Sequence, residues 1–214
     1  MFVFVKTEIK KEGGIMGQYY MPYIKSLKDN QERSVNAHKF GSGLKITEHS
    51  WIGNNMCSQV YNWILNNPSI VAWVGDYAEF EMINNKHSIT KKVWDKIRSA
   101  IWGTDKNKYQ QKPESELFYF DFYKNRYLVN ESKKQFLDIE EFRKRCFIVD
   151  WGCLSPLSLL TAIGNGQGGG DYFGRNEDKI GIWAFDTIQI TDQKPDYEEI
   201  KIDFIEKFLD KEGE

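Results

Sequence analysis

One glycine-rich stretch, residues 164–172, constrains the fold more than any other part of the sequence. It reads Gly-Asn-Gly-Gln-Gly-Gly-Gly-Asp-Tyr, with five glycines among its first seven residues. Glycine lets another group approach the main chain closely, but ordering it costs more conformational entropy than ordering any other residue. Bare N–H groups in such a loop can form a concave anion site. The stretch therefore predicts a loop that packs closely against a ligand or against another part of the protein.

Size and charge favour one domain and disfavour two classes of partner. The 214 residues are 41% hydrophobic, which is enough for the core of a single domain. The 29 basic and 31 acidic residues nearly balance, so the chain lacks the basic surface that binds duplex nucleic acid. It also lacks an apolar run long enough to span a membrane.

The three cysteines indicate the redox setting. Cys57, Cys146 and Cys153 form neither the even set of a disulfide framework nor a Cys-x-x-Cys pair. They are not spaced as a zinc site either. A reducing, cytoplasmic compartment fits this pattern best.

The first fifteen residues have the character of an extension. Lys-Glu-Gly, shortly before Met16, can be encoded by AAGGAGG, which is a bacterial ribosome-binding sequence at the usual distance from a start codon. We expect Met16 to be the natural initiator, residues 1–15 to be a non-native extension and residues 16–214 to be the domain. An ordinary strand over residues 2–5 is the alternative.

Hydrophobic periodicity predicts an α+β domain with a mixed or mostly antiparallel sheet and three to four packed helices. In the first half we expect a hairpin whose first strand begins at Gly17 and whose turn is at Lys28-Asp29-Asn30. We then expect a strand over 44–51, a helix over 56–64 capped by Asn54 or Asn55, a strand over 69–74 and a helix over 88–102 capped by Ser88. In the second half we expect a flexible loop over 104–116, strands over 117–122 and 126–129, a helix after Asp138, a strand or bulged strand over 180–190 and a closing helix over 197–209.

Five motifs in the chain carry a resemblance: Met16-Gly17-Gln18-Tyr19-Tyr20, Gly43-Leu44-Lys45 with Glu48-His49-Ser50, Trp73-Val74-Gly75-Asp76-Tyr77-Ala78, Leu159-Leu160-Thr161-Ala162 with the glycine-rich stretch, and Trp183-Ala184-Phe185-Asp186. In this set the chain resembles a family of small uncharacterised bacterial and phage-type proteins, over residues 16 to about 190. The resemblance implies where a site lies and no activity. In the family pattern a His-Pro pair often opens the Leu-Leu-Thr-Ala segment, whereas this chain has Ser155-Pro156 there.

Side chains that can act as acids or bases, or bind a cation, lie where the predicted strands or the glycine-rich stretch end. They are Glu48, His49, Asp76, Asp171 and Asp186. Anchored at such points, carboxylates and an imidazole can converge on a crevice, where the histidine acts as a base or the carboxylates hold a divalent cation. Structural roles fit the same residues: Asp76 and Asp171 as turn formers, His49 as a satisfied buried histidine, and Asp186 as part of a bulge or as a paired carboxylate.

Aromatic residues accompany these strand ends. Trp73, Tyr77 and Tyr172 lie beside them in the sequence and could stack on a base or sugar, or belong to the core. The glycine-rich stretch is no nucleotide fingerprint, because it lacks both the Lys-Ser/Thr ending of a P-loop and the strand-to-helix context of a Rossmann motif.

The first hypothesis is a cytoplasmic protein that binds a small anionic, nucleotide-like ligand, as a phage-type protein sequestering a signalling nucleotide would. The expected ligand-binding residues are Glu48, Trp73, Tyr77, Asn165, Gly166, Gly168, Gly169, Gly170, Tyr172, Arg175 and Asp186, with a polar contact from His49. One alternative is a hydrolase, with or without a metal, that uses His49, Asp76 and Asp171. Another is a protein-interaction module or inhibitor. Neither a cofactor, a protein partner nor an oligomeric state follows from the sequence.

Overall fold

The central strand β3, Ser69–Gly75, organises the fold. The structure is a computed structural model that describes residues 17–84, 87, 89–103, 106–112, 120–146, 153–165 and 178–202. The β3 sequence Ser-Ile-Val-Ala-Trp-Val-Gly is almost continuously apolar, and Ile70 is its one residue that is not fully buried. A run of this kind is typical of a strand that is covered on both faces.

The described strands form one sheet. They are β1 (Tyr20–Ser26), β2 (Glu32–Ser34), β3 (Ser69–Gly75), β4 (Tyr127–Asn130), β5 (Gln135–Asp138), β6 (Ala162–Ile163), β7 (Thr187–Thr191) and β8 (Glu198–Glu199). Their order is β2-β1-β3-β7-β4-β5-β8, and β6 also pairs with β3. Along one edge of β3, the first residues bond antiparallel to β7 and the last residues bond parallel to β6. The other edge pairs antiparallel with β1 along its full length.

Helices cover both faces of the sheet. The described helices are α1 (Ile46–His49), α2 (Asn55–Trp63), α3 (Phe80–Asn84), α4 (Lys91–Trp102), α5 (Lys106–Tyr109), α6 (Ile139–Cys146) and α7 (Pro156–Thr161). Trp73 of β3 packs with α2 and α7 on one face, whereas Ala72 and Val74 pack with α3 and α4 on the other. No helix in the described part of the chain is both long and apolar enough to cross a membrane.

The predicted α+β class with a mostly antiparallel sheet is confirmed. The predicted β1–β2 hairpin, the strands β3 and β4, and the helix α2 are present at or within a few residues of their predicted positions. Two of the predicted helix caps, those of α2 and α6, are also confirmed. Asn54 accepts the Met56 N–H at the start of α2, and Asp138 accepts the Glu141 N–H at the start of α6.

The predicted strand over residues 44–51 is wrong. Ile46–His49 forms the short helix α1, in which Ile46 and His49, three residues apart, are both fully buried. The carboxylate of Glu48 accepts the Lys45 N–H at 3.0 Å and closes this turn. The alternation of apolar and polar residues predicted a strand. The burial of Ile46 and His49 on one face of a helical turn outweighs it.

Several boundaries also differ from the predictions. The predicted loop over residues 104–116 contains α5, and the Gln111 N–H bonds to the Ser34 carbonyl at 2.8 Å. Phe120–Tyr123 is a 3-10 helix, not a strand, and residues 180–185 form turns before β7. The tail begins as β8 paired with β5, not as a helix. Helix α4 begins at Lys91 and is capped by Thr90, so the predicted cap at Ser88 is wrong.

Some predictions lie outside the described residues. They include the proposed start at Met16 and the helix beyond residue 202. These stay predictions.

Candidate functional site

Two glycine turns meet at the same edge of the sheet. Strands β3 and β6 run parallel, with Trp73 opposite Ala162 and Val74 opposite Ile163, so they end side by side at Gly75 and Gly164. The carboxyl ends of parallel strands are where loops converge to build binding sites in many folds. The geometry thus brings the beginning of the glycine-rich stretch beside the end of β3.

The side chain of Gln18 fills the space that these glycines leave. A Cβ on Gly75 would lie 2.3 Å from Gln18 Nε2, and a Cβ on Gly164 would lie 2.6 Å from Gln18 Oε1. Neither separation is possible for real atoms, so both positions must be glycine for Gln18 to sit where it does. We call the arrangement of Gln18, Gly75, Asp76, Gly164 and Asn165 the Gln18 junction.

The orientation of the Gln18 amide is fixed by its partners. Its Oε1 accepts the Tyr20 hydroxyl at 3.0 Å and the Asn165 N–H at 3.1 Å. Because a backbone N–H can only donate, the atom facing Asn165 must be the oxygen, and Nε2 faces away. Gln18 is fully buried, and its Nε2 has no hydrogen-bond partner among the described residues.

An unpaired buried donor of this kind is costly. Leaving a buried polar group without a partner costs roughly 1–3 kcal/mol, so such groups are rare in folded proteins. The amide of Gln18 is therefore one of the buried groups in the described part of the chain for which an acceptor from elsewhere would supply a missing bond.

Asp76 directly follows the end of β3, and only one of its two carboxylate oxygens is hydrogen-bonded to the described residues. Its N–H donates to the Tyr19 carbonyl at 2.9 Å, and its Oδ1 accepts the Tyr19 N–H at 3.0 Å. Its Oδ2 makes no hydrogen bond to the described residues. The Asp76 carbonyl accepts from the Arg98 guanidinium at 3.1 Å, which fixes the backbone of the turn. Asp76 thus lies in the turn after β3, but its carboxylate bonds across to Tyr19 and not to a local N–H, as the turn-former prediction had it.

Two tyrosines flank this strand end. Tyr19 is 45% exposed and Tyr77 is 38% exposed, and of the other described tryptophan, tyrosine and phenylalanine residues Trp51 is as exposed as Tyr77. Trp73, predicted as a stacking residue, is fully buried instead and belongs to the core. The exposed aromatic residues at this strand end are therefore Tyr19 and Tyr77, and not Trp73.

His49 is held by hydrogen bonds on both ring nitrogens. Its Nε2 accepts the Trp73 indole N–H at 3.0 Å, and its Nδ1 lies 3.0 Å from the Gly43 carbonyl. Since the indole can only donate, Nε2 is unprotonated and Nδ1–H donates to Gly43. Burial lowers the pKa of His49 to about 4. The ring is neutral with no nitrogen left for a substrate or water, which fits the structural alternative and leaves the hydrolase hypothesis without its base.

Glu48 and Asp186 are committed to the fold. Glu48 caps α1 through the Lys45 N–H. Asp186 accepts the Asn130 side-chain amide at 2.8 Å and lies 3.4 Å from Lys133 Nζ, so it is a paired carboxylate at the turn between β4 and β5. Their predicted ligand contacts receive no support from these positions.

The remaining predicted site residues lie outside the described residues. They are Gly166, Gly168, Gly169, Gly170, Asp171, Tyr172 and Arg175. Their roles stay predictions. Asn165, the last described residue before them, is placed at the Gln18 junction by its bond to Gln18.

Sequence reasoning missed Gln18 itself. Its signal was present, because Gln18 belongs to the Met-Gly-Gln-Tyr-Tyr motif and both strand ends carry a glycine. What the sequence could not supply was the contact between residues 147 positions apart.

Two other kinds of site have little support in the described part of the chain. It holds no group of three or more His, Cys, Asp or Glu side chains placed to bind a metal ion. A groove between α6 and the segment after β8, lined by Phe142 and Ile200, has a cavity volume of about 20 Å³. That volume accommodates about one water molecule and no larger ligand.

No protein-family model, no curated protein and no solved structure matches this chain. The family resemblance of the motifs stays a prediction. Function is therefore inferred from the Gln18 junction.

Proposed function

We propose that this chain is a small-molecule-binding protein that takes a nucleotide-like ligand at the Gln18 junction. The observation that carries the proposal is the fully buried amide of Gln18, whose Nε2 is unpaired among the described residues. An acceptor oxygen of the ligand supplies the missing bond, and that bond is worth more in a buried position than in water.

The flanking side chains support this ligand class. Tyr19 and Tyr77 are exposed residues next in sequence to Gln18 and Asp76, and exposed tyrosine rings can stack on nucleobases, each base contributing about 1–3 kcal/mol. The free Oδ2 of Asp76 accepts a hydroxyl or N–H of the same ligand. One donor, one acceptor and two aromatic rings are the elements that recognise a base or nucleoside.

The glycine-rich stretch extends this proposal toward the phosphate. It continues from Asn165, whose N–H is already bonded to Gln18. In the proposed complex the backbone N–H groups of residues 166–170 and the side chain of Arg175 contact the phosphate. A reducing, cytoplasmic setting agrees with the buried thiols of Cys57 and Cys153, neither of which is in a disulfide.

Isothermal titration calorimetry with nucleoside monophosphates and cyclic dinucleotides tests the proposal. We expect at least one of them to bind the wild-type protein, and Tyr77→Ala to weaken that binding by about tenfold because a stacking face is lost. Leu27→Ala is the matched control, since Leu27 is 50% exposed and follows the opposite end of β1.

The binding of nucleotides to the wild-type protein and the two variants distinguishes support for the proposal from its rejection. Binding that weakens in Tyr77→Ala and not in Leu27→Ala supports the proposal. Absence of binding by every nucleotide at millimolar concentration overturns it, and so does binding that Leu27→Ala weakens as much as Tyr77→Ala.

A further inference from the structure

Resting on the proposed function, we infer that Arg98 is a positioning residue for the ligand and that it acts through Tyr77. Arg98 lies on α4, and Tyr77 lies in the turn that follows β3. The guanidinium of Arg98 holds the backbone of this turn. The exposed ring of Tyr77, which contacts the base in the proposed complex, is thereby held in place before the ligand arrives.

Hydrogen bonds fix the two peptide planes that meet at the Tyr77 Cα. The plane before it carries the Asp76 carbonyl, which accepts from Arg98 Nη2 at 3.1 Å. The plane after it carries the Ala78 N–H, which donates to the Gly75 carbonyl at 3.1 Å and closes the turn. Because a peptide plane is rigid, fixing both planes also fixes the direction in which the Tyr77 side chain leaves the backbone.

Arg98 bonds to the turn on both sides of Tyr77. In addition to the bond to Asp76, its Nη1 donates to the Ala78 carbonyl at 2.5 Å. A planar guanidinium presents its donors in a fixed geometry and can bond two acceptors at once, whereas a lysine ammonium is a flexible point charge. One side chain of α4 thus spans three consecutive residues of the turn.

The guanidinium of Arg98 has a rigid support of its own. Its central carbon lies 5.9 Å from the centroid of the Trp94 ring, which is one turn earlier on α4. Trp94 is 2% exposed and belongs to the same buried cluster as Ala78, which is fully buried. The core on this face of the sheet therefore restrains both the donor side chain and the turn to which it bonds.

A fixed turn with an exposed aromatic ring is favourable for binding. Ordering a mobile side chain when a ligand binds lowers the affinity by a factor of about two to ten. The backbone of Tyr77 is already ordered by hydrogen bonds, although the residue is 38% exposed. Loss of the Arg98 bonds should therefore weaken binding without removing any group that contacts the ligand.

The first measurement is isothermal titration calorimetry of Arg98→Met. Methionine keeps an unbranched side chain beside Trp94 and removes both donors. The probe is whichever of AMP, GMP, CMP and UMP binds the wild-type protein most tightly. We expect the variant to bind it about fivefold more weakly, within the range for the ordering of a side chain.

Arg33→Met is the matched control. The Arg33 guanidinium also lies over a tryptophan, 5.8 Å from the centroid of Trp63. It bonds to the side chains of Asp29 and Gln31 near the other end of β1. The control removes the same charge and the same kind of ring contact, so its affinity for the nucleotide should stay within about twofold of wild type.

The nucleoside of the same base separates positioning from attraction of the phosphate by the Arg98 charge. It keeps the base that stacks and lacks the phosphate. If Arg98 acts through Tyr77, Arg98→Met weakens the binding of nucleoside and nucleotide by the same factor. A loss seen with the nucleotide alone would assign the effect to charge and overturn the inference.

A double-mutant cycle tests the dependence on Tyr77. In a Tyr77→Ala background there is no ring to position, so Arg98→Met should change the remaining affinity by less than about twofold. General damage to the protein would weaken binding by the same factor in both backgrounds.

Thermal melting establishes that each variant is folded at the temperature of the titration. If Arg98→Met does not fold, Arg98→Lys takes its place in both backgrounds, since lysine keeps the charge and can still donate to one carbonyl. We then expect a loss of about threefold with Tyr77 present and less than about twofold with Tyr77→Ala.

A loss of affinity that is shared by nucleotide and nucleoside and that disappears in the Tyr77→Ala background supports the inference. Affinity that the Arg98 variant leaves unchanged, or weakens no more than Arg33→Met, overturns it, and so does an equal loss in both backgrounds. In each of these cases the wild-type protein binds the nucleotide and the proposed function stands. If the wild-type protein binds none of the nucleotides, the proposed function is overturned together with the inference.

Discussion

Because Gly164 has no side chain, it leaves room for the side chains of Gln18 and Tyr20. A Cβ at this position would lie 1.9 Å from the Tyr20 hydroxyl and 2.6 Å from Gln18 Oε1. Tyr20 is 3% exposed and Gln18 is fully buried, so neither can swing into solvent to make room. The absence of a side chain at residue 164 is therefore a packing requirement of the junction.

Gly164→Ala should destabilise the protein by about 1–3 kcal/mol, the usual cost of overpacking a core. Urea denaturation followed by tryptophan fluorescence measures it. In a Tyr20→Phe background the cost should be smaller, because the closest clashing atom is gone. An equal cost in both backgrounds would show that the hydroxyl is not what the alanine meets.

Helix α2 shows an element fixed by its own sequence. Asn54 Oδ1 accepts the N–H groups of Met56 and Cys57, at 2.9 and 3.4 Å. The side-chain amide of Asn54 also donates to Ser42 Oγ at 2.9 Å, and the residue is 3% exposed. The cap therefore ties the helix to the preceding loop as well as closing its first turn.

Asn54→Ala should lower the free energy of unfolding by about 1–2 kcal/mol, since it removes the cap. Asn55→Ala is the control, because Asn55 is an exposed residue of the first turn and alanine is the better helix former. It should change the free energy by less than about 0.5 kcal/mol. Equal losses in the two variants, measured by urea denaturation, would reject Asn54 as the cap.

The elements that the sequence predicts correctly are those determined by residues close together in the chain. The apolar run of β3, the Asn54 cap and the Asp138 cap each depend on neighbours in sequence, and each was predicted. The start of the tail was mistaken for a helix because its apolar spacing is helical, whereas Glu198 and Glu199 pair with β5. Tertiary pairing outweighs such weak local preference. The candidate site was only half predictable for the same reason: Asp76 and Asn165 were identified, but Gln18 acts across the sheet.

At the scale of the whole molecule, His49 joins one helical layer to the central strand. Helix α1 carries the ring, and Trp73 of β3 donates to it across the interface between layer and sheet. The two rings are stacked, with centroids 6.4 Å apart. A charge on this imidazole would break the Trp73 bond, because a protonated Nε2 cannot accept. The protonation state of one residue thus affects how the layers hold together.

The free energy of unfolding should consequently fall as the pH falls below neutrality. Burial lowers the pKa of His49 to about 4, whereas the unfolded chain restores its ordinary value of 6.5. Between these two values the unfolded state binds a proton that the folded state does not, so stability rises with pH across this window. From pH 7.5 to pH 5 the expected loss is about 2 kcal/mol.

Urea denaturation at a series of pH values measures this loss, and two histidine variants assign it. His49→Gln, if folded, should lose most of the dependence between pH 7.5 and pH 5, because its amide can bond both partners and does not titrate. His38→Gln should keep the dependence, since His38 is exposed. Below about pH 4.5 carboxylates with lowered pKa, among them Glu131 bonded to Tyr197 and Gln189, add their own loss, so the comparison is restricted to the higher range. A wild-type free energy that stays level from pH 7.5 to pH 5 would contradict the neutral, doubly bonded His49 and with it the bond that connects α1 to β3.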